Sequence, residues 1–166
     1  MPTANRVAFI LCLCGCLCGG LFGSGLAAGA RQEVPVPLAE RARGAELVVV
    51  GRVAGIESVW QINEFGDRLI VSIVRVAVNE TLKGQASPTL DVELEGGTIG
   101  ELSLHVSDQT TFSPGDRAVF YLKRNARGAL VPHLRGQGVL KLDASDRVPG
   151  SSLTLGEIRR QVAAGN

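Results

Sequence analysis

His105 and His133 are the only histidines in the chain, and no His-x-x-x-His spacing occurs. A zinc site or a general base built on either one needs partners from elsewhere in the sequence. His105 has Glu101 and Asp108 nearby. On an extended strand Asp108, at an odd offset, falls on the opposite face, so the three do not converge. His133 follows Pro132 and has no carboxylate beside it. A Ser/His/Asp site assembles in space rather than in sequence. However, the Gly23-Ser24-Gly25 step belongs to a leader-like segment, and no other serine sits in a Gly-x-Ser-x-Gly elbow. Asp91, Glu93 and Glu95 are spaced by two, which puts three carboxylates on one face of a strand. That spacing suits an acid/base pair or a calcium site. The alternation with Leu90, Val92 and Leu94 reads them instead as the solvated face of a half-buried strand. Gly96-Gly97-Thr98-Ile99-Gly100 is glycine-rich, but a phosphate cradle must open a helix and these residues lead into strand alternation. They read as a loop beside a binding surface, together with the segment carrying Asp108 and Gln109.

The elements that position these groups lie behind a distinct opening segment. Residues 1–30 contain one charge, Arg6, then an apolar run that gives way to Gly and Ala and ends in Ala28-Gly29-Ala30. This is the pattern of a secretory signal cleaved after Ala30. The alternative is Leu13-Cys14-Gly15-Cys16 as a lipoprotein box, with a lipid anchor on Cys16. All four cysteines, Cys12, Cys14, Cys16 and Cys18, fall in this segment. A mature chain starting at Arg31 has no disulfide, thiol nucleophile or Cys-ligated zinc, and the reading is of no metal and no cofactor. Loss of Arg6 leaves sixteen of the seventeen basic side chains against sixteen acidic ones. Neutral charge and few aromatics (Trp60, Phe65, Phe112, Phe120, Tyr121) argue against a nucleic-acid partner.

Along the mature chain, residues 31–45 read as an arm held extended by Pro35 and Pro37, then a short helix from Leu38. Residues 46–142 read as a β-barrel domain. Its strands run from Glu46 through Val53 to Trp60, bent at Gly51, then Arg68–Leu82, Leu90–Glu95, Leu102–Val106, Ala118–Leu122, Ala129–Leu134 and Val139–Leu142. Thr98–Gly100 reads as loop, and Leu102, Leu104 and Val106 as inward-facing. Leu69-Ile70-Val71 breaks the alternation of the second strand, which points to a bulge or to burial on both faces. Phe120 and Tyr121 are adjacent, one inward and one outward, and Phe112 reads as the anchor of the Ser113-Pro114-Gly115-Asp116 turn. Residues 143–166 read as a linker and a helix opened by the capping box Thr154-Leu155-Gly156-Glu157, with Leu155, Ile158 and Val162 on one face.

The ordered set Leu47–Val53, Glu57-Ser58, Asn79–Gly84, Glu95–Gly100, Phe112–Arg117 and Gly136-Gln137-Gly138 resembles a group of exported bacterial proteins of unassigned function. The pattern is also weakly similar to the OB-like barrel of netrin-type modules and tissue inhibitors of metalloproteinases. The resemblance implies a fold and an exported location. Those inhibitors present an N-terminal cysteine to the protease zinc, and this mature chain has none, so that mechanism does not transfer.

The sequence thus predicts a mainly β protein: a closed or partly open OB-like barrel with a short N-terminal helix and a C-terminal helix, or alternatively a β-sandwich. The predicted function is an exported, non-enzymatic binding module, secreted or periplasmic, with a protein partner outside the cytoplasm and no stable membrane anchor. The contact residues are placed at Gly96, Gly97, Thr98, Ile99, Gly100, Asp108 and Gln109. The alternatives are a protease-regulating module and a hydrolase assembled around His105 or His133. N-terminal sequencing of the exported protein is expected to begin at Arg31. A start at a lipidated Cys16, or an intact leader in the membrane fraction, would contradict that reading.

Overall fold

The computed structural model describes residues 35–63 and 65–165. The leader, the cleavage site after Ala30, the Cys16 alternative and the first part of the arm lie outside the described residues.

The chain is mainly β, with one helix on each sequence side of the strands. Strand β1 (Leu47–Ile62) pairs antiparallel with β2 (Arg68–Lys83), and β2 with β3 (Thr89–Glu95). Strand β3 pairs parallel with β7 (Leu130–Pro132) through the bridge Val92↔Leu130. Strand β7 pairs with β6 (Arg117–Arg124), and β6 returns to β1. The pairings therefore form a ring in the order β1-β2-β3-β7-β6-β1, extended beyond β6 by β8 (Val139–Leu142). This is the partly open, OB-like arrangement expected from the strand pattern. Strands β4 (Gly97–Ile99) and β5 (Leu102–Leu104) form a separate hairpin.

Two apolar clusters sit on either side of the β1–β6 wall. Inside the ring, Val49, Val53, Val74, Val76, Val92, Phe120 and Leu122 pack together. Outside it, helix α1 (Leu38–Gly44) and helix α2 (Leu155–Ala164) cover Val48, Val50, Val119 and Tyr121 with Leu38, Ala42, Leu155, Ile158 and Val162. The alternation of Phe120 and Tyr121 holds, but the outward Tyr121 is fully buried because the helices cover that face. Phe112 stacks on Phe120 with ring centroids 5.5 Å apart.

The long β1 serves two neighbours by bending. Its register against β2 shifts at Val48/Val49, Val50/Gly51 and Val53/Gly55. Gly51 occupies one of these irregularities, where a Cβ would collide with Val76 Cγ1 and lie 2.9 Å from Ala77 O. Only glycine lets the two backbones approach this closely. The helices are fixed by side chains at their ends. Lys83 Nζ donates to Ala42 O at 2.7 Å at the C-terminal end of α1, where a cation complements the helix dipole. The capping box of α2 is complete: Thr154 Oγ1 accepts from Glu157 N–H at 3.3 Å, and Glu157 Oε2 accepts from Thr154 N–H at 2.9 Å. Arg159 clamps Glu80 of β2 with donors at 2.7 and 3.0 Å.

Two local expectations are corrected. Residues 98 and 99 are strand rather than loop. Leu102 and Leu104 do not face inward: they are 60 % and 37 % exposed. Strand β4 packs against the ring through Gly97 and Thr98, which leaves β5 on the outer side of the hairpin with its leucines in solvent.

Phe120 fills the ring centre, whereas Thr154 supplies only a cap. Urea unfolding of Phe120→Ala is expected to show a loss of about 3–5 kcal/mol, and of Thr154→Ala about 1 kcal/mol. Equal losses would mean that the two apolar clusters do not carry the fold as described.

Candidate functional site

A cleft of about 590 Å³ lies on the outer face of β2 and β3. Leu69 and Val71 of β2, Val131 and Pro132 of β7, and Leu134 give it an apolar lining. The turn after β1 and the turn Asn125–Gly128 between β6 and β7 both border it, and Arg127 Nη1 donates to Ile62 O at 3.4 Å between them. Both turns are held by an asparagine. Asn63 Oδ1 accepts from the backbone N–H of Phe65 and Asp67 at 2.9 and 2.8 Å. Asn125 Oδ1 accepts from those of Arg127 and Ala129, both at 3.0 Å. Such side-chain turns fix a loop without a packed core beneath it. They leave Ile62 and Phe65 at the rim, 65 % and 80 % exposed.

The acidic row of β3 forms ion pairs across this surface. Asp91 pairs with Arg75 at 2.9 Å, Glu93 with Arg127 at 2.9 Å, and Glu95 with Arg135 at 3.0 Å. Glu93 also accepts from Gln61 Nε2 at 3.4 Å. The solvated-face reading thus needs refinement. Each carboxylate faces water but has an arginine partner, and Glu93 is only 17 % exposed. Exposed pairs of this kind add little stability individually, but they hold their side chains in place around the cleft.

Arg135 brings two parts of the predicted contact surface together. It bonds Glu95 at the end of β3 and Asp108 in the following loop. The Arg135 guanidinium holds the Asp108 carboxyl below the usual carboxylate range. Gly136 packs directly on Asp108 O, which leaves no room for a Cβ. Gln109 lines the cleft, and its Oε1 is buried with no hydrogen-bond partner among the described residues.

Gly96, Gly97 and Thr98 line a second, smaller cavity of about 270 Å³, together with Gln109. Their backbone also closes one end of the ring. Gly96 O accepts from Ser72 Oγ at 2.7 Å, and Thr98 N–H donates to Ser58 Oγ at 3.2 Å. Gly97 has φ +142°, and a Cβ there would lie 2.5 Å from Ser58 Oγ and 2.6 Å from Ser72 Oγ. The glycine composition therefore has a structural cause in this close approach. Ile99 and Gly100 line neither cavity.

His105 is exposed. His133 lies against Gly44 of α1, and its Nδ1 is buried without a hydrogen-bond partner among the described residues. No group of three His, Cys, Asp or Glu residues suited to a metal occurs among the described residues. No helix among them is long and apolar enough to cross a membrane. Sequence reasoning missed Ile62, Phe65, Arg127 and Arg135. The break in alternation at Leu69-Ile70-Val71 was the available signal: Ile70 and Val71 are both 3 % exposed, on a strand whose register there is unbroken. No protein-family model and no curated protein matches this chain.

Burial, then the Lys123 and Lys83 cations, hold the His133 imidazole below its ordinary range. The unfolded chain therefore takes up that proton more readily than the folded one. The associated stability is present above the unfolded imidazole pKa and is lost as pH falls through the lower folded value. Urea unfolding at about pH 7.5 and about pH 5 should show acid destabilisation that His133→Gln reduces. An identical pH dependence in the variant would assign the acid sensitivity to other groups.

Proposed function

We propose that this protein is an exported, non-enzymatic binding module that takes a protein partner outside the cytoplasm, and that the β2–β3 cleft is its contact surface. The observation that carries the reading is the composition of that cleft. An apolar floor bordered by two asparagine-held turns is ringed by arginine–carboxylate pairs and flanked by the exposed Ile62 and Phe65. Apolar anchors within a polar rim are the usual anatomy of a protein contact. In OB-type barrels this strand face and the two loops beside it form the common ligand surface. Asp108 and Gln109 belong to the same surface in this reading, one fixing Arg135 and the other lining the floor. Gly96, Gly97 and Thr98 support it from the neighbouring cavity.

The test uses a partner captured from the extracytoplasmic fraction, titrated against purified variants. Phe65→Asp is expected to weaken binding about tenfold or more, as loss of an aromatic anchor does. Asp108→Ala is expected to weaken it less, through Arg135. Ile99→Asp, outside the cleft, is expected to leave affinity unchanged. Unchanged affinity in Phe65→Asp and Asp108→Ala, at unchanged melting temperature, would move the contact surface elsewhere. A captured protease whose activity changes on binding would favour the protease-regulating alternative.

A further inference from the structure

The second half of β1 has a free edge. Val53 is the last residue of β1 whose backbone bonds another backbone on that side: its N–H donates to Asp116 O and its C=O accepts from Gly115 N–H, both at 2.8 Å, and at the far end Ile62 O accepts from Arg127 Nη1 at 3.4 Å. From Gly55 to Ile62 the strand pairs with β2 on one side and with no described strand on the other. An open edge presents a row of unpaired backbone donors and acceptors, a template for another strand. Proteins normally block such edges with lysine, proline or a bulge. Here the irregularity at Val53/Gly55 falls at Ala54, where the free stretch begins, and Ala54–Ile62 contains no lysine, arginine or proline. Its one charge is Glu57.

The exposed large apolar side chains among the described residues gather around this edge. They are Ile56, Trp60 and Ile62 on the strand, Phe65 on its turn, and Leu102 and Leu104 on β5. Arg68 of β2 stacks over the Trp60 ring, 4.3 Å from its centroid, and so holds that ring in place. The β4–β5 hairpin adjoins the same stretch through the Thr98–Ser58 hydrogen bond. The apolar pattern is also symmetric about Ser58. Ile56 and Trp60 stand two residues to either side of it, and Ala54 and Ile62 stand four residues to either side. A strand that meets a copy of itself antiparallel about a two-fold axis must carry complementary residues in both directions. With the axis at Ser58, Ile56 of each copy faces Trp60 of the other. Glu57 faces the uncharged Val59, so no like charges are opposed. An aromatic residue opposite a β-branched one is a favourable cross-strand pair.

We propose that the protein forms a two-fold dimer in which the free edges of β1 pair antiparallel about Ser58, joining the sheets of two copies. The occupant of the edge is a second copy of this chain. This interface shares Ile62 with the rim of the cleft, while the apolar floor on β2 and β7 lies outside it, so the dimer carries two clefts.

Sedimentation equilibrium of the purified chain across the micromolar range tests the proposal. The expected result is a concentration-dependent dimer. The double variant Ile56→Lys/Trp60→Lys places lysines directly opposite one another across the axis, and should weaken the dimer about tenfold or more. A second variant does not depend on weakening the edge. Residues opposed in antiparallel strands have Cα atoms about 4.5–5.5 Å apart, within disulfide reach. Ser58→Cys, with Cys12, Cys14, Cys16 and Cys18 replaced by serine, should therefore oxidise to a covalent dimer. Ser145→Cys in the same background, on an exposed turn, should not. A monomer at all concentrations would overturn the proposal. So would a dimer that neither responds to the lysine pair nor becomes covalent through the Ser58→Cys substitution. Binding of a different protein's strand to an otherwise monomeric chain would also overturn it.

Discussion

The fold depends on one strand being paired on both of its edges. β1 has to pair with β6 along its first half and with β2 along its whole length. A flat strand cannot do this and close a ring, so β1 is broken by three register irregularities. Once it bends, the other features follow. Its first half lies in a wall with apolar packing on both sides, ring interior and helices. That is why Leu47–Val50 is an unbroken apolar run rather than an alternating one. Its second half leaves the wall, forms the hairpin with β2, and carries the turn that borders the cleft.

Charged side chains join what this geometry leaves separate. Arg41 is buried under α1, where its donors reach Val36 O at 2.7 Å and Gln137 O at 2.6 Å. It thereby ties the start of the described chain to the one-turn 3-10 helix at Arg135–Gly138. Arg135 begins that same turn and reaches out to Glu95 and Asp108. The α1 side of the molecule and the wall of the cleft are therefore connected through four residues of backbone. The neighbouring Tyr121 phenol is pushed up to about 12 by burial, and its hydroxyl has no hydrogen-bond partner among the described residues.

Much of the architecture was legible in the sequence because it rests on local patterns. Alternation placed β2 and β3, a β-branched run placed β1, the Ser113–Asp116 turn marked the start of β6, and the Thr154–Glu157 pair placed the start of α2. The short elements were harder. β4 and β5 are held by contact with the end of the ring, and no local periodicity marks a hairpin of that size. The cleft was least legible. Its defining pairs join residues far apart in the chain: Glu93 with Arg127, Glu95 and Asp108 with Arg135. A carboxylate on the polar face of a strand looks the same in sequence whether water or an arginine faces it. The glycines at 96 and 97 invited a ligand reading, whereas their backbone is pressed against two serines that close the ring.

The two helices meet: Gly165, just past α2, lies so close to Ala39 O in α1 that a Cβ there would collide with it. The described domain therefore begins and ends at one pole, beside the first residues of β1. Val36 N–H donates to Gln137 Oε1 at 2.8 Å, so the first described residues lie beside the turn that carries Arg135. The closeness of the two helices makes the chain suitable for circular permutation, with a short linker joining the helices and new ends opened in a solvent-facing turn such as Asp143–Arg147.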